Sequence, residues 1–137
     1  MALYAATDHK ITINGTNFSS SLQSVSIDLS ADELETTAFG GGWRTRVAGL
    51  KTGSVTLNFF QDFGASAVDA TLQPLFAAGS NATVVVTSTS TTTSATNPAY
   101  TAICLVSQYQ PYQASAGDIA TFSVTWPTTG TVTRATA

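Results

Sequence analysis

The sequence predicts a mainly β protein, a β-sandwich or open barrel of about seven or eight strands with one short flanking α-helix. Segments in which polar and apolar residues alternate recur along the chain, whereas helical periodicity is found once. Charged residues make up only 9% of the 137 residues, and serine and threonine supply much of the remaining polar content. Threonine and valine favour strands, because branched side chains fit a pleated surface. The length is that of a single domain over residues 1–137.

The strands are predicted where alternating segments lie between turn signals. On this basis the strands occupy residues 10–14, 22–29, 54–60, 82–88, 100–108, 119–126 and 131–134. The first of them ends at Asn14-Gly15, a pair typical of tight hairpin turns. The residues expected to face inward are Val25, Ile27, Leu29, Val55, Leu57, Phe59, Phe122, Val124 and Trp126. We expect these side chains to form much of the core.

The helix is predicted over residues 65–78, where the apolar period lengthens. Its apolar stripe consists of Val68, Leu72, Leu75 and Phe76. Ser66 is the expected N-cap, and Gly79 is expected to end the helix in a left-handed conformation. Because an interior proline disfavours helix, we expect Pro74 to end or kink it near Gln73.

A run of serine and threonine follows the helix and the next strand. We expect residues 87–98, which include TSTSTTTSAT, to form a mobile hairpin tip or loop.

The most informative segment is the connection at residues 30–50, SADELETTAFGGGWRTRVAGL. A connection of about 20 residues is uncommon in a compact domain and is usually functional or disordered. This one is sorted by charge, with acids first and bases after, and it also carries aliphatic and aromatic residues. Two interpretations stay open: a hairpin that folds back and pairs its own charges, or an arm that docks on a neighbouring copy. The candidate interface residues are Asp32, Glu33, Glu35, Phe39, Trp43, Arg44, Arg46 and Lys51.

From its motifs, the sequence is predicted to have no catalytic residue, no cofactor and no metal site. The triple glycine at residues 40–42 lacks the pattern of a phosphate loop, and the acids at residues 32–35 lack the spacing of a calcium loop. The net charge of −3 and the absence of a basic stripe argue against tight nucleic-acid binding. No apolar run approaches a membrane span, and no leader is evident, so we expect synthesis in a cytosol.

Three segments together resemble the major tail (tail tube) proteins of long-tailed bacteriophages, especially phages that infect actinobacteria. They are DLSADELETTAFGGGWRTRVAGLKTGSVTLNFFQDF, AVDATLQPLF and TFSVTWPTTGTVTRAT. The similarity extends from about residue 24 to residue 136. It implies a β-sandwich with a flanking helix, and rings of six subunits whose inner strands join into one barrel. It also implies that rings stack into a hollow tube and that residues 30–50 contact neighbouring subunits or rings.

The resemblance therefore implies a structural, non-enzymatic virion protein of the tail, assembled in the host bacterial cytoplasm. The implied partners are other copies of the chain, the tape-measure protein, the tail terminator and tip proteins, and viral DNA passing transiently through the lumen. Two alternatives remain: a head–tail connector or capsid decoration protein, and a carbohydrate-binding β-sandwich. The sugar platforms of the latter would be Trp43, Tyr109, Tyr112 and Trp126.

Overall fold

The structure is a computed structural model, and it describes residue 5 and residues 7–136. This part of the chain contains eight strands and one α-helix, together with a single turn of 3₁₀-helix at Ser19–Ser21. The strands are β1 (Lys10–Ile13), β2 (Thr16–Asn17), β3 (Leu22–Glu35), β4 (Arg46–Phe60), β5 (Asn81–Thr87), β6 (Ala99–Leu105), β7 (Thr121–Pro127) and β8 (Thr133–Ala135); the helix is α1 (Val68–Ala78).

The strands form two antiparallel sheets, which confirms the predicted sandwich. The larger sheet has the strand order β2-β1-β5-β6-β8, and the smaller has the order β3-β4-β7. Each predicted strand is present, and β2 is an addition. It forms because Asn14 and Gly15 adopt positive φ angles of 51° and 84°, the combination that a tight hairpin turn requires.

The core lies between the two sheets. The smaller sheet contributes Val55, Leu57, Phe59, Phe122, Val124 and Trp126, as the alternation predicted; the larger contributes Ile11, Ile13, Val84, Ala102 and Cys104. Phe59 and Phe122 stack with ring centroids 5.0 Å apart. Val25 and Ile27 are only half-buried, since β3 is an edge strand, and Leu29 is exposed. Leu29 therefore lies on the face that the alternation predicted, but the expectation that it joins the core is wrong.

Helix α1 begins three residues later than the sequence predicted and ends at Ala78, the last residue of the predicted range. The N-cap is Ala67 in an extended conformation without a side-chain hydrogen bond, while the predicted cap, Ser66, has a φ of 59°. The helix continues through Pro74 to Ala78, so the expected end near Gln73 is wrong. Proline removes one backbone hydrogen bond, and the burial of Leu72 before it and the packing of Leu75 after it keep the helix against the core. Gly79 ends it in the left-handed region, as predicted.

The Ser/Thr-rich loop is organised by a residue that no sequence pattern singled out. Asn97 is buried. Its Oδ1 accepts hydrogen bonds from Ser88 Oγ at 3.2 Å and from the Thr89 amide at 3.1 Å. Its Nδ2 donates to the Thr91 carbonyl oxygen at 3.2 Å. The expected hairpin tip is thus present, with its own polar centre; its mobility stays a prediction.

The connection at residues 30–50 is mostly strand, which corrects the expectation of a long loop. β3 and β4 pair along the segment, with Leu34 opposite Val47 and Glu35 opposite Arg46, and only residues 36–45 lie between the strands. Apolar and oppositely charged cross-strand pairs stabilise such pairing. The pairing of β7 with β4 ends at Ser54. Beyond this point β3 and β4 continue alone as a two-stranded ribbon. We call residues 30–51 the arm, because Lys51 pairs with Ala31 in this ribbon.

Candidate functional site: the arm and the open strand edges

The arm pairs part of its charge internally, but it does not fold back on the sandwich. Arg44 Nη1 lies 3.8 Å from Glu35 Oε1, and Arg46 Nε lies 4.0 Å from Glu33 Oε2. All four side chains are exposed, so each pair contributes only about 0–1 kcal/mol. Nearly every residue of the arm is exposed. The interpretation as a hairpin that pairs its own charges is therefore correct, but the expectation that this hairpin folds back on its own domain is wrong.

Two charged residues of the arm take no part in these pairs. Among the described residues, no ion pair or hydrogen bond involves the side chain of Asp32 or Lys51. The strand register places them on opposite faces of the ribbon. Lys51 lies directly across from Ala31, so these two residues share a face, and the next residue, Asp32, points to the other face. The arm thus carries one unpaired charge of each sign, on opposite faces.

A β-bulge shapes the middle of the arm. The register shifts between Ala31 and Glu33, where β4 contains one more residue than β3. Bulges bend a ribbon and increase its twist. At the bulge, a Cβ added to Gly49 would lie 3.1 Å from the Cβ of Asp32 and 3.3 Å from the Cδ1 of Leu34. A glycine here therefore allows Asp32 and Leu34 to lie close over the backbone of β4.

The tip of the arm presents two aromatic side chains to solvent. Phe39 is fully exposed and Trp43 is 86% exposed. The loop that carries them is nevertheless closed by hydrogen bonds: the Thr36 amide donates to the Thr45 carbonyl oxygen at 2.8 Å, and the Thr45 amide donates to Thr37 Oγ1 at 3.0 Å. Exposed aromatic groups on an ordered support are typical of interaction surfaces.

A groove lies at the root of the arm. It has a volume of about 620 Å³ and runs between the arm and residues 128–132, with Leu29, Lys51 and Val132 in its lining. Hydrogen bonds between Gly53 and Thr128 join the two walls of the groove. The Gly53 carbonyl oxygen accepts from the Thr128 amide at 2.9 Å and from Thr128 Oγ1 at 3.2 Å. This contact ties the segment after β7 to the point where the arm leaves the sandwich.

The smaller sheet has two edges that differ in their protection. β3 forms one edge along its whole length. At the other edge, β7, the Thr125 amide donates to Gln108 Oε1 at 3.1 Å, and Pro127 has no amide hydrogen. Side-chain caps and proline are common means of protecting a strand edge. No local pattern in the sequence indicates that Gln108 reaches β7, so this residue could not be predicted as an edge cap.

The aromatic residues proposed as sugar platforms do not form one surface, which corrects that alternative. Trp126 is 0% exposed, and its Nε1 donates to the Gln108 carbonyl oxygen at 2.9 Å. Tyr109 is half-buried and donates to Asp69 Oδ1 at 2.5 Å. Tyr112 packs against Phe63, and Trp43 lies at the tip of the arm.

Among the described residues, the two groups with shifted pKa values are the buried Cys104 and the half-buried Tyr109. Burial raises the pKa of the Cys104 thiol to about 11. Burial, and then the hydrogen bond to Asp69, raise the pKa of Tyr109 to about 12. In the part of the chain that the structure describes, no group of three or more histidine, cysteine and acidic residues could hold a metal ion. In the same part, no helix is long and apolar enough to cross a membrane.

Comparison with known proteins gives matches at the level of structure. No protein-family model and no curated sequence matches the chain. The SPP1 tail tube structure contains a similar chain, with a TM-score of 0.78, 11% identity and coverage of 98% of this chain and 80% of that one. A chain in the virion of a native gene transfer agent particle gives a TM-score of 0.77 at 13% identity, covering 96% and 98%. The chain has a tail-tube fold.

A third match is to a chain from an assembly that is itself described with six-fold symmetry. A chain in the tail of an empty gene transfer agent particle, described with C6 symmetry, gives a TM-score of 0.67 at 16% identity, covering 82% of this chain and 81% of that one. Because the SPP1 match covers 98% of this chain, the tail-tube fold accounts for both sheets and the helix.

Proposed function

We propose that the chain is a structural subunit of a phage-type tail tube, and that it assembles into rings of six copies that stack into a hollow conduit for DNA. The observation that carries this proposal is the match to the SPP1 tail tube over 98% of the chain. The similar chain from a gene transfer agent tail with C6 symmetry supports the six-membered ring. The role is structural rather than enzymatic.

Ring formation uses the two edges of the smaller sheet. When the β3 edge of one copy pairs with the β7 edge of the next, each copy presents different surfaces to its two neighbours. Such head-to-tail contacts close into a ring when the rotation between copies permits. Closure into a barrel also removes the open edges, which would otherwise promote aggregation. Gln108 must then leave the Thr125 amide, so that a neighbour's backbone can take its place.

Stacking uses the arm. Phe39 and Trp43 at its tip, with Arg44 and Arg46 beside them, are the docking residues that contact the adjacent ring. Aromatic and arginine side chains are the types enriched at interface hot spots. The charged partners in these contacts are Asp32, Glu33, Glu35 and Lys51.

The net charge suits a DNA conduit. Each copy contributes −3, from eight acidic and five basic residues. A negative, hydroxyl-rich lumen repels phosphates and limits retention of the passing DNA. The further partners under this proposal are the tape-measure protein and the tail terminator and tip proteins. The location is the virion tail, assembled in the bacterial cytoplasm, and the resemblance of residues 24–136 supports a phage of actinobacteria.

Negative-stain electron microscopy of the concentrated protein, with light scattering alongside, tests this function. We expect long hollow tubes with six-fold rings. Single closed rings that never stack would instead favour a head–tail connector. A protein that remains monomeric at high concentration, even with preformed tubes added as seeds, would refute self-assembly.

A further inference from the structure

We infer that neighbouring copies dock arm to arm: the face of one arm that carries Asp32 and Leu34 inserts into the root groove of the next copy, and Asp32 pairs there with Lys51. This inference rests on the proposed tube function and identifies a contact between copies. We call the two faces of the arm the acidic face, with Asp32, Leu34 and Val47, and the basic face, named for Lys51 opposite Ala31. Glu33 and Glu35 also lie on the basic face, where they are paired with Arg46 and Arg44.

The acidic face offers a compact apolar patch beside a single carboxylate. Leu34 and Val47 are directly opposed across the ribbon, and each is about half exposed. Asp32 lies on the same face as Leu34, since the two are separated by one residue along β3. Gly49 lies beneath both side chains and allows them to pack close to the backbone of β4, because a side chain at this position would displace them.

The basic face offers the complement, an apolar groove beside the ammonium group of Lys51, which takes no part in the ion pairs of the described residues. Leu29 and Val132 contribute to its lining, and Lys51 lies in the same groove. Leu29 is exposed, although its position in the strand continues the core-facing series of Val25 and Ile27. The groove, at about 620 Å³, is large enough to receive aliphatic side chains from another copy.

The two faces are complementary: one is a raised apolar patch with a carboxylate, and the other is an apolar groove with an ammonium group. They lie on opposite sides of one ribbon. A patch that fits a different site on an identical molecule produces a head-to-tail contact that repeats from copy to copy. Stacked ribbons lie about 10 Å apart, a distance that a lysine and an aspartate side chain span together. The internal pairs leave Asp32 and Lys51 as the charges available for this contact, because Glu33 and Glu35 already face Arg46 and Arg44.

Charge reversal tests the inference. In the variant Asp32→Lys every arm contact brings two lysines together, and in Lys51→Asp every contact brings two aspartates together. We expect each single variant to raise the critical concentration for assembly by at least about tenfold, since like charges opposed at an interface are strongly disfavoured. The double variant Asp32→Lys/Lys51→Asp should restore assembly, because it exchanges the charges without changing their pairing.

Mixing the two single variants provides a second part of the test. Copies of the Asp32→Lys variant can alternate with copies of the Lys51→Asp variant, and every contact then joins opposite charges. The equimolar mixture should therefore assemble at a concentration at which neither variant assembles alone. Asp118→Lys, on an exposed segment away from the arm, is the control with the same change in net charge as Asp32→Lys. Circular dichroism of each monomer verifies that the variants are folded.

The outcomes separate this inference from the proposed function. If the wild-type chain forms tubes but neither the double variant nor the mixture regains assembly, the Asp32–Lys51 contact is wrong and the tube function stands. The inference also fails if either single variant assembles as readily as the Asp118→Lys control. A wild-type chain that never assembles would overturn both.

Discussion

The two tryptophans of the chain provide a matched test of how the structure divides stability from assembly. Trp43 is 86% exposed at the tip of the arm, whereas Trp126 is 0% exposed in the core. We therefore predict opposite consequences for removing them. Trp43→Ala combined with Arg44→Ala should give a folded monomer that no longer polymerises, and Trp126→Ala should give a protein with a damaged fold.

The magnitudes follow from the contacts that each change removes. Truncating a fully buried tryptophan costs about 3–5 kcal/mol in the free energy of unfolding. At Trp126 it also leaves the Gln108 carbonyl oxygen without its donor, which adds about 1–3 kcal/mol. At the tip, removing an exposed side chain changes the free energy of unfolding by no more than about 0.5 kcal/mol. The exposed Arg44–Glu35 pair contributes at most about 1 kcal/mol to it. An interface hot spot lost with Trp43 is worth about 2 kcal/mol or more, which corresponds to about a 30-fold rise in critical concentration.

The assay combines urea unfolding of the monomer, followed by far-ultraviolet circular dichroism, with light scattering across a concentration series. Circular dichroism is preferred because both changes remove a fluorophore. The docking role of the tip would be refuted by a Trp43→Ala/Arg44→Ala variant that polymerises at the wild-type critical concentration. A Trp126→Ala variant that loses less than about 1 kcal/mol would contradict the packing of the core.

Two further predictions concern the edge of the smaller sheet and the alkaline limit of stability. Gln108→Leu removes the acceptor of the Thr125 amide, so hydrogen exchange at that amide in the monomer should accelerate by about tenfold or more; Gln110→Leu is the control, and equal exchange in both variants would contradict the cap. The pKa of Tyr109 is raised from 10.0 to about 12, so the unfolded chain loses this proton at lower pH than the native protein does. This contribution to stability is complete below pH 10 and is lost as the pH rises towards 12. The difference in urea midpoint between wild type and Tyr109→Phe should therefore shrink across this range, and a constant difference would count against the burial of Tyr109 and its contact with Asp69.

The sequence was sufficient wherever a local pattern decided the outcome. Alternation in residues 54–60 and 119–126 predicted six of the core side chains, and Asn14-Gly15 predicted the first turn. Gly79 ended the helix as expected, since glycine adopts the left-handed conformation of a helix end without a Cβ clash. The interface residues of the arm were also selected from sequence, and their docking role stays a proposal.

Where a prediction from the sequence was wrong, tertiary contacts had overridden the local signal. Pro74 does not end α1, because Leu72 and Leu75 hold both sides of it against the core. Ser66 does not cap the helix, because the turn from Asp62 places it at positive φ. Trp126 and Tyr109 looked suitable for a ligand, but the fold turns one into the core and pairs the other with Asp69.

The sequence by itself determined the fold class and the position of an unusual charged segment, because alternation and composition act over a few residues. Only the tertiary structure decided that this segment is a protruding two-stranded arm, that Asp32 and Lys51 lie on its opposite faces, and that Gln108 covers the β7 edge. These features depend on strand register and on contacts between distant parts of the chain. A shift of one residue in register exchanges the faces of a ribbon, and no local pattern in a single sequence specifies that register.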